Sequence, residues 1–99
     1  MEYKIEAQDG EARVLFSGDI TFSENVSFRQ LLRDLDEKPI SKCVFDLSDV
    51  GMVDSAGLGM FLIAKDQADT KKWTLKVSGA HGHVASMLKL TKLSDLLQA

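Results

Sequence analysis

The chain opens on alternation. Tyr3, Ile5 and Ala7 interleave with Lys4, Glu6 and Gln8, and Ala12, Val14 and Phe16 interleave with Arg13, Leu15 and Ser17. A two-residue period is that of half-buried strands. Asp9-Gly10 between the runs is a tight-turn pair, so a hairpin is expected. Ser17-Gly18-Asp19 breaks the second strand. The period then lengthens: Phe28, Leu31, Leu32 and Leu35 recur at i, i+3, i+4 and i+7, one face of a helix of about three to four turns. Thr21 to Glu24 has the spacing of a capping box at its start, and Pro39 limits its end.

Cys43-Val44-Phe45-Asp46-Leu47 is apolar on both parities, which predicts a central strand covered on both faces. A polar loop, Ser48-Asp49-Val50-Gly51, leads through Met52-Val53 to Asp54-Ser55. A second helix is expected from Ala56 to about Lys71, with Gly57, Phe61, Ala64 and Ala68 as its buried stripe. Trp73, Leu75 and Val77 alternate as a further strand, and Gly79 to Gly82 is a loop. Val84, Met87 and Leu88 begin a third helix; Leu93, Leu96 and Leu97 suggest a short fourth. The order β-β-α-β-α-β-α-α belongs to the α/β class and predicts a mixed sheet whose later strands run parallel through right-handed crossovers.

Composition narrows the functions available. With 99 residues, 44% hydrophobic and 27% charged, the chain fits a single folded domain spanning 1–99 and not a disordered segment. The longest apolar run, Gly57 to Ala64, is far short of the roughly 20 residues of a membrane helix. Met1-Glu2-Tyr3-Lys4 opens no signal peptide, so a cytoplasmic location is expected. Twelve Lys and Arg against 15 Asp and Glu give a net charge of −3, with no basic cluster beyond Lys71-Lys72. That excludes an electrostatic footprint for nucleic acid and points to protein partners. The single cysteine, Cys43, has no disulfide mate, which suits a reducing compartment.

Asp54-Ser55-Ala56-Gly57-Leu58-Gly59 is the richest segment, because strand, loop and helix meet there at a serine followed by small residues. Ser55 is expected at the helix N-cap. A phosphate esterified to it would be received by first-turn amides near Ala56 to Leu58 and by the positive end of the helix dipole. Gly57 and Gly59 leave the approach open, at about 1 kcal/mol each in helix propensity. The plainer alternative makes Ser55 a cap and the glycines a means of close packing. Ile63 projects about 130° from the buried stripe, with Met60 between, so these apolar side chains are expected to be partly exposed, for a partner or beneath a neighbouring helix.

Other constellations carry less. His81-x-His83 supplies two metal ligands where three or four are needed, and reads as a pair of surface loop histidines. Gly57-Leu58-Gly59 lacks the Gly-Lys-Ser/Thr of a nucleotide loop. Ser55, His81 and Asp46 contain the residue types of a hydrolase triad, but the Gly-x-Ser-x-Gly elbow is missing. No catalytic activity, metal or cofactor is therefore expected.

Asp46-Leu-Ser-Asp-Val-Gly-Met-Val-Asp54-Ser55-Ala-Gly-Leu-Gly-Met60 resembles the signature of the STAS domain as found in bacterial anti-sigma-factor antagonists. Ser17-Gly18-Asp19 is similar to that family's Gly-acidic turn, and Val84 to Leu97 to its closing leucine-rich segment, so the likeness spans nearly the whole chain. The resemblance implies a mixed four-to-five-stranded sheet flanked by three to four helices. It also implies a regulatory serine, matched by Ser55, that a partner kinase phosphorylates. Asp19, Asp54, Ala56, Gly57, Leu58, Met60 and Ile63 would form the partner face with Ser55. The implied partners are a serine kinase that doubles as an anti-sigma factor and a metal-dependent serine phosphatase. Ala56 stands where many members have a second serine, and Lys72-Trp73 where a glycine is common. Members of the same family also serve as constitutive accessory subunits on the ATPase of lipid-transport complexes; in that alternative Ser55 is only a cap.

Overall fold

In a computed structural model, which describes residues 1–97, β1 (Glu2–Gln8) and β2 (Glu11–Ser17) pair antiparallel around Asp9-Gly10. The last two residues of the expected 1–99 domain lie outside the described residues. Asp9 and Gly10 have φ of 53° and 80°, the doubly left-handed turn whose twist matches that of the flanking strands. β3 (Lys42–Asp49) adds parallel to β2, and β4 (Thr74–Ser78) parallel to β3, so the sheet order is β1-β2-β3-β4. The helices are α1 (Asn25–Asp36), α2 (Ser55–Lys71), α3 (Gly82–Leu90) and α4 (Leu93–Leu96). Among the described residues there are thus four strands and four helices, within the expected ranges.

Strand alternation directs one face of the sheet to the helices. Ala12, Val14 and Phe16 of β2, Cys43, Phe45 and Leu47 of β3, and Leu75 and Val77 of β4 share one core with the buried faces of all four helices. Phe16, Phe28, Phe45 and Phe61 occupy its middle, with ring centroids 5.1 to 6.2 Å apart in mostly edge-on or tilted pairs. The opposite face is open to solvent, which corrects the expectation that β3 is covered on both sides. Val44 points to that open face yet is only 5% exposed. It lies in register between Arg13 and Lys76, whose long stems shield it without a helix above.

Two local expectations change at the helix ends. The capping box at Thr21 does not form: the Thr21 hydroxyl pairs with that of Ser23 at 3.0 Å, and Phe22–Glu24 is a single 3-10 turn leading into α1. At the other end of α2, Lys72 adopts the left-handed conformation (φ 64°) and donates its N–H to the Ala68 carbonyl, the task glycine does most easily. A side chain there costs about 1 kcal/mol or more. Lys72→Gly is accordingly expected to stabilise the domain by about 0.5–1 kcal/mol, less than the full strain because glycine also loosens the unfolded chain. A rise of a few degrees in melting temperature checks it; a fall shows that Lys72 contributes more than its backbone conformation.

Candidate functional site

The site is built where two loops touch. β3 ends at Asp49, and the Val50 N–H closes a turn onto the Leu47 carbonyl at 3.0 Å. The chain then runs extended past Ile20, which pairs with Val53 in an isolated parallel bridge. The Ile20 N–H donates to the Met52 carbonyl (3.0 Å), and the Asp54 N–H to the Ile20 carbonyl (3.3 Å). Gly18, with φ 85°, turns the chain and donates its N–H to the Asp49 carbonyl at 3.2 Å. The exposed Asp19 turn and the Asp54-Ser55 loop, 35 positions apart in the numbering, are brought side by side.

Asp54, not Ser55, is the N-cap of α2. Its backbone is extended (φ −94°, ψ −178°), as N-cap geometry requires, and the bridge to Ile20 holds it so. One carboxylate oxygen accepts the Gly57 N–H at 2.8 Å and the other accepts the Phe22 N–H at 3.1 Å. Two oxygens thus serve two amides, one at the head of each of two helical segments, which a single hydroxyl does not do. Ser55 becomes the first residue of the helix. It is exposed, and among the described residues its hydroxyl makes no hydrogen bond.

The two glycines that follow differ. A Cβ on Gly57 would fall inside the contact radius of the Ile20 carbonyl oxygen and 2.8 Å from Val53 Cγ1, so this glycine is what lets α2 approach the bridge. Gly59 has no atom within 4 Å of such a position and stands open. Leu58 and Met60 are each only 6% exposed. The expected partial exposure therefore fails at Met60, whose side chain joins the core, and holds for Ile63, which is half exposed. Of the eight residues of the expected partner face, Gly57, Leu58 and Met60 act from beneath, whereas Asp19, Ser55 and Ile63 are presented outward, with Asp54 and Ala56 half-buried.

A groove borders this block. Phe22, Asn25 and Arg29 form one wall, and Ala56, Gly59 and Ile63 the other. Phe22, 68% exposed, is a large apolar group left in water at this groove, and Val26 on α1 is 70% exposed. The sequence carried a signal for Val26, which lies off the Phe28-Leu31-Leu35 stripe; Phe22 sits before the helix and no period marks it. Arg29 is exposed and has no ion-pair partner among the described residues.

The hydrolase alternative does not assemble. His81 Nε2 lies 2.9 Å from the Ser48 carbonyl oxygen, and the Asp46 carboxylate is occupied by the Ser48 hydroxyl (2.6 Å), the Ser48 N–H (3.0 Å) and Arg13 (3.0 Å). These bonds, the Ser48 hydroxyl first, hold the Asp46 carboxyl below its ordinary range. A lowered folded-state pKa gives stability that is present above the unfolded value of about 3.9 and is lost as pH falls through the folded one. Asp46→Asn is expected to remove this portion of the acid sensitivity, so wild type and variant converge in stability as pH drops below about 3.9; parallel curves would refute it. Cys43 is buried, and burial pushes its thiol up to about 12, so it remains protonated and inert.

Comparison with known proteins bears on this block as a whole. Residues 4–98 match the family model described as Mlab, STAS domain. An anti-sigma factor antagonist from Mycobacterium paratuberculosis superposes with a TM-score of 0.80 at 22% identity, covering 95% of this chain and 80% of that one. The Bacillus cell fate determinant SpoIIAA in its phosphorylated form gives 0.72 at 12%, covering 96% and 85%. A sulfate transporter family protein from Wolinella succinogenes gives 0.77 at 16%, covering 89% and 71%. At these identities the structures speak for a shared fold, and they include both signalling and transport proteins. No helix among the described residues is long and apolar enough to cross a membrane. The sheet order, the paired Asp19 and Ser55 loops and a family match running almost from end to end lead to one assignment: the chain belongs to the STAS domain family.

Proposed function

We propose that this chain is a phosphorylation-controlled protein-binding switch that acts in the cytoplasm. Unmodified, it docks a partner serine kinase of the anti-sigma type through the Asp19 turn, the Asp54-Ser55 loop and the groove between Phe22 and Ile63. Phosphate on Ser55 ends that contact, and a metal-dependent serine phosphatase restores it. The kinase and phosphatase would bring ATP and metal; the chain's own part calls for neither.

The observation that supports this reading is the division of labour at the start of α2. A serine retained for capping would bond a first-turn amide, but Asp54 already does so, leaving the Ser55 hydroxyl exposed and unengaged. A phosphate on it would sit at the positive end of a 17-residue helix. The test is intact-mass analysis with peptide mapping of protein from its own host, followed by incubation with its serine kinase and ATP. One phosphate is expected, on Ser55, and none on Ser55→Ala; stoichiometric labelling of Ser55→Ala would end the assignment.

A second reading makes the chain a constitutive accessory subunit of a lipid-transport ATPase, the other use that the sequence resemblance implies. It uses the same face but expects no phosphate on Ser55 in the host.

A further inference from the structure

The geometry points to His81 and His83 as positioning residues for Ser55: together they clasp both ends of the Ser48–Asp54 loop from the α3 side. This inference rests on the reading of Ser55 as the acceptor for its functional meaning, though not for its geometry. The loop is held on one side by Ile20, through the two bonds of the Val53 bridge. On its other side His81 Nε2 lies 2.9 Å from the Ser48 carbonyl oxygen and His83 Nε2 lies 3.3 Å from the Val53 carbonyl oxygen. Successive carbonyls of an extended segment point to opposite edges, so the Val53 carbonyl, turned from Ile20, would otherwise face water. His83 supplies the donor that a further strand would supply. Asp54 and Ser55 follow at once.

The spacing of the two histidines makes the double contact feasible. His81 is extended (φ −147°, ψ 168°) and occupies the N-cap position of α3 without a side-chain bond to that helix, and His83 is the second residue of the helix, with Gly82 between them at φ 52°. Gly79, at φ 75°, lays the preceding turn against β3, where a Cβ would meet Asp46 Oδ1 and the Ser48 N at 3.0 Å. Both rings are exposed, so burial of apolar surface does not explain their placement. A carbonyl only accepts, so both rings must carry a proton on Nε2. α3 is thereby tied to the loop that presents Ser55, across 33 and 30 residues of sequence.

The experiment is amide hydrogen exchange on the full chain, with nitrogen NMR of the imidazoles, for wild type, His83→Ala, His83→Gln and the His81→Ala/His83→Ala double variant. Both wild-type rings are expected to be Nε2-protonated. His83→Ala is expected to speed exchange at Asp54 and Gly57 by about tenfold, the worth of one hydrogen bond, while Val14 and Phe45 in the sheet stay as they are. His83→Gln, whose amide nitrogen occupies the place of Nε2, should restore most of the protection. Unchanged exchange in the double variant, or acceleration spread equally over the sheet, overturns the clasp. Local acceleration with no phosphate found on Ser55 in the host keeps the clasp and removes the switch; phosphate present with unchanged exchange does the reverse.

Discussion

Gly57→Ala is expected to destabilise the domain by about 1–2 kcal/mol and Gly57→Val by about 3 kcal/mol, even though either residue favours helix over glycine. The added Cβ meets the Ile20 carbonyl oxygen and Val53 Cγ1. Val53 has some freedom to turn, but the Ile20 carbonyl is backbone and already accepts the Asp54 N–H. Relief therefore requires α2 to back away from the bridge, which loosens the N-cap and uncovers part of Phe61 and Ala64 beneath the same helix face. For a domain of this size each kcal/mol moves the melting temperature by roughly 4–8 °C, so Gly57→Val should melt about 12–24 °C lower. Gly59→Ala is the control, with open space around it and an expected gain of up to about 1 kcal/mol. Two glycines behaving alike would show that helix propensity, not the approach to Ile20, governs both.

Phosphorylation of Ser55 is expected to lower partner affinity at least about a hundredfold while leaving the domain as stable as before or slightly more so. The phosphate brings about −1.5 to −2 charges to the first turn of α2, where the helix end favours them by about 0.3–1 kcal/mol. In a docked complex the same group is desolvated beside Asp54 and near Asp19, two carboxylates with no cation paired to them among the described residues. An unpaired charge buried at an interface costs about 2–5 kcal/mol, and two decades in affinity correspond to about 2.8 kcal/mol, within that range. Ser55→Asp should reproduce part of this effect, with one charge and shorter reach, and Ser55→Ala should bind whether or not the kinase is active. Melting and affinity measured on the same proteins separate the cases. Tight binding by both phospho-Ser55 and Ser55→Asp would leave the constitutive-subunit reading in possession.

Much of this arrangement was legible in the chain. Period-two runs with Asp9-Gly10 between them specify a hairpin, and the Phe28-Leu31-Leu35 and Phe61-Ala64-Ala68 stripes specify two core helices, because local chemistry alone decides those features. What escaped depends on partners distant in sequence. Asp54 and Ser55 are both good caps; the bridge to Ile20 and the Phe22 amide, 32 residues away, decide between them. Val44 is as apolar as a covered residue but is shielded by neighbouring Arg13 and Lys76 in the sheet. Met60 lies off the ideal stripe yet reaches the core with its flexible side chain. Lys72 sits where a left-handed residue is needed, and nothing in its chemistry announces that conformation.

The bonds that shape the Ser55 block, from Phe22 to Asp54 and from His83 to Val53, link segments 32 and 30 residues apart. Segments so distant meet only after long loops have closed, and a peptide cut from residues 48–62 would contain neither Ile20, nor Phe22, nor His83. On the switch reading, a kinase that recognises this shape is blind to nascent, misfolded or proteolysed copies. Phosphate on Ser55 would then count only finished molecules, so the signal it carries is filtered by quality control before any dedicated chaperone or protease acts.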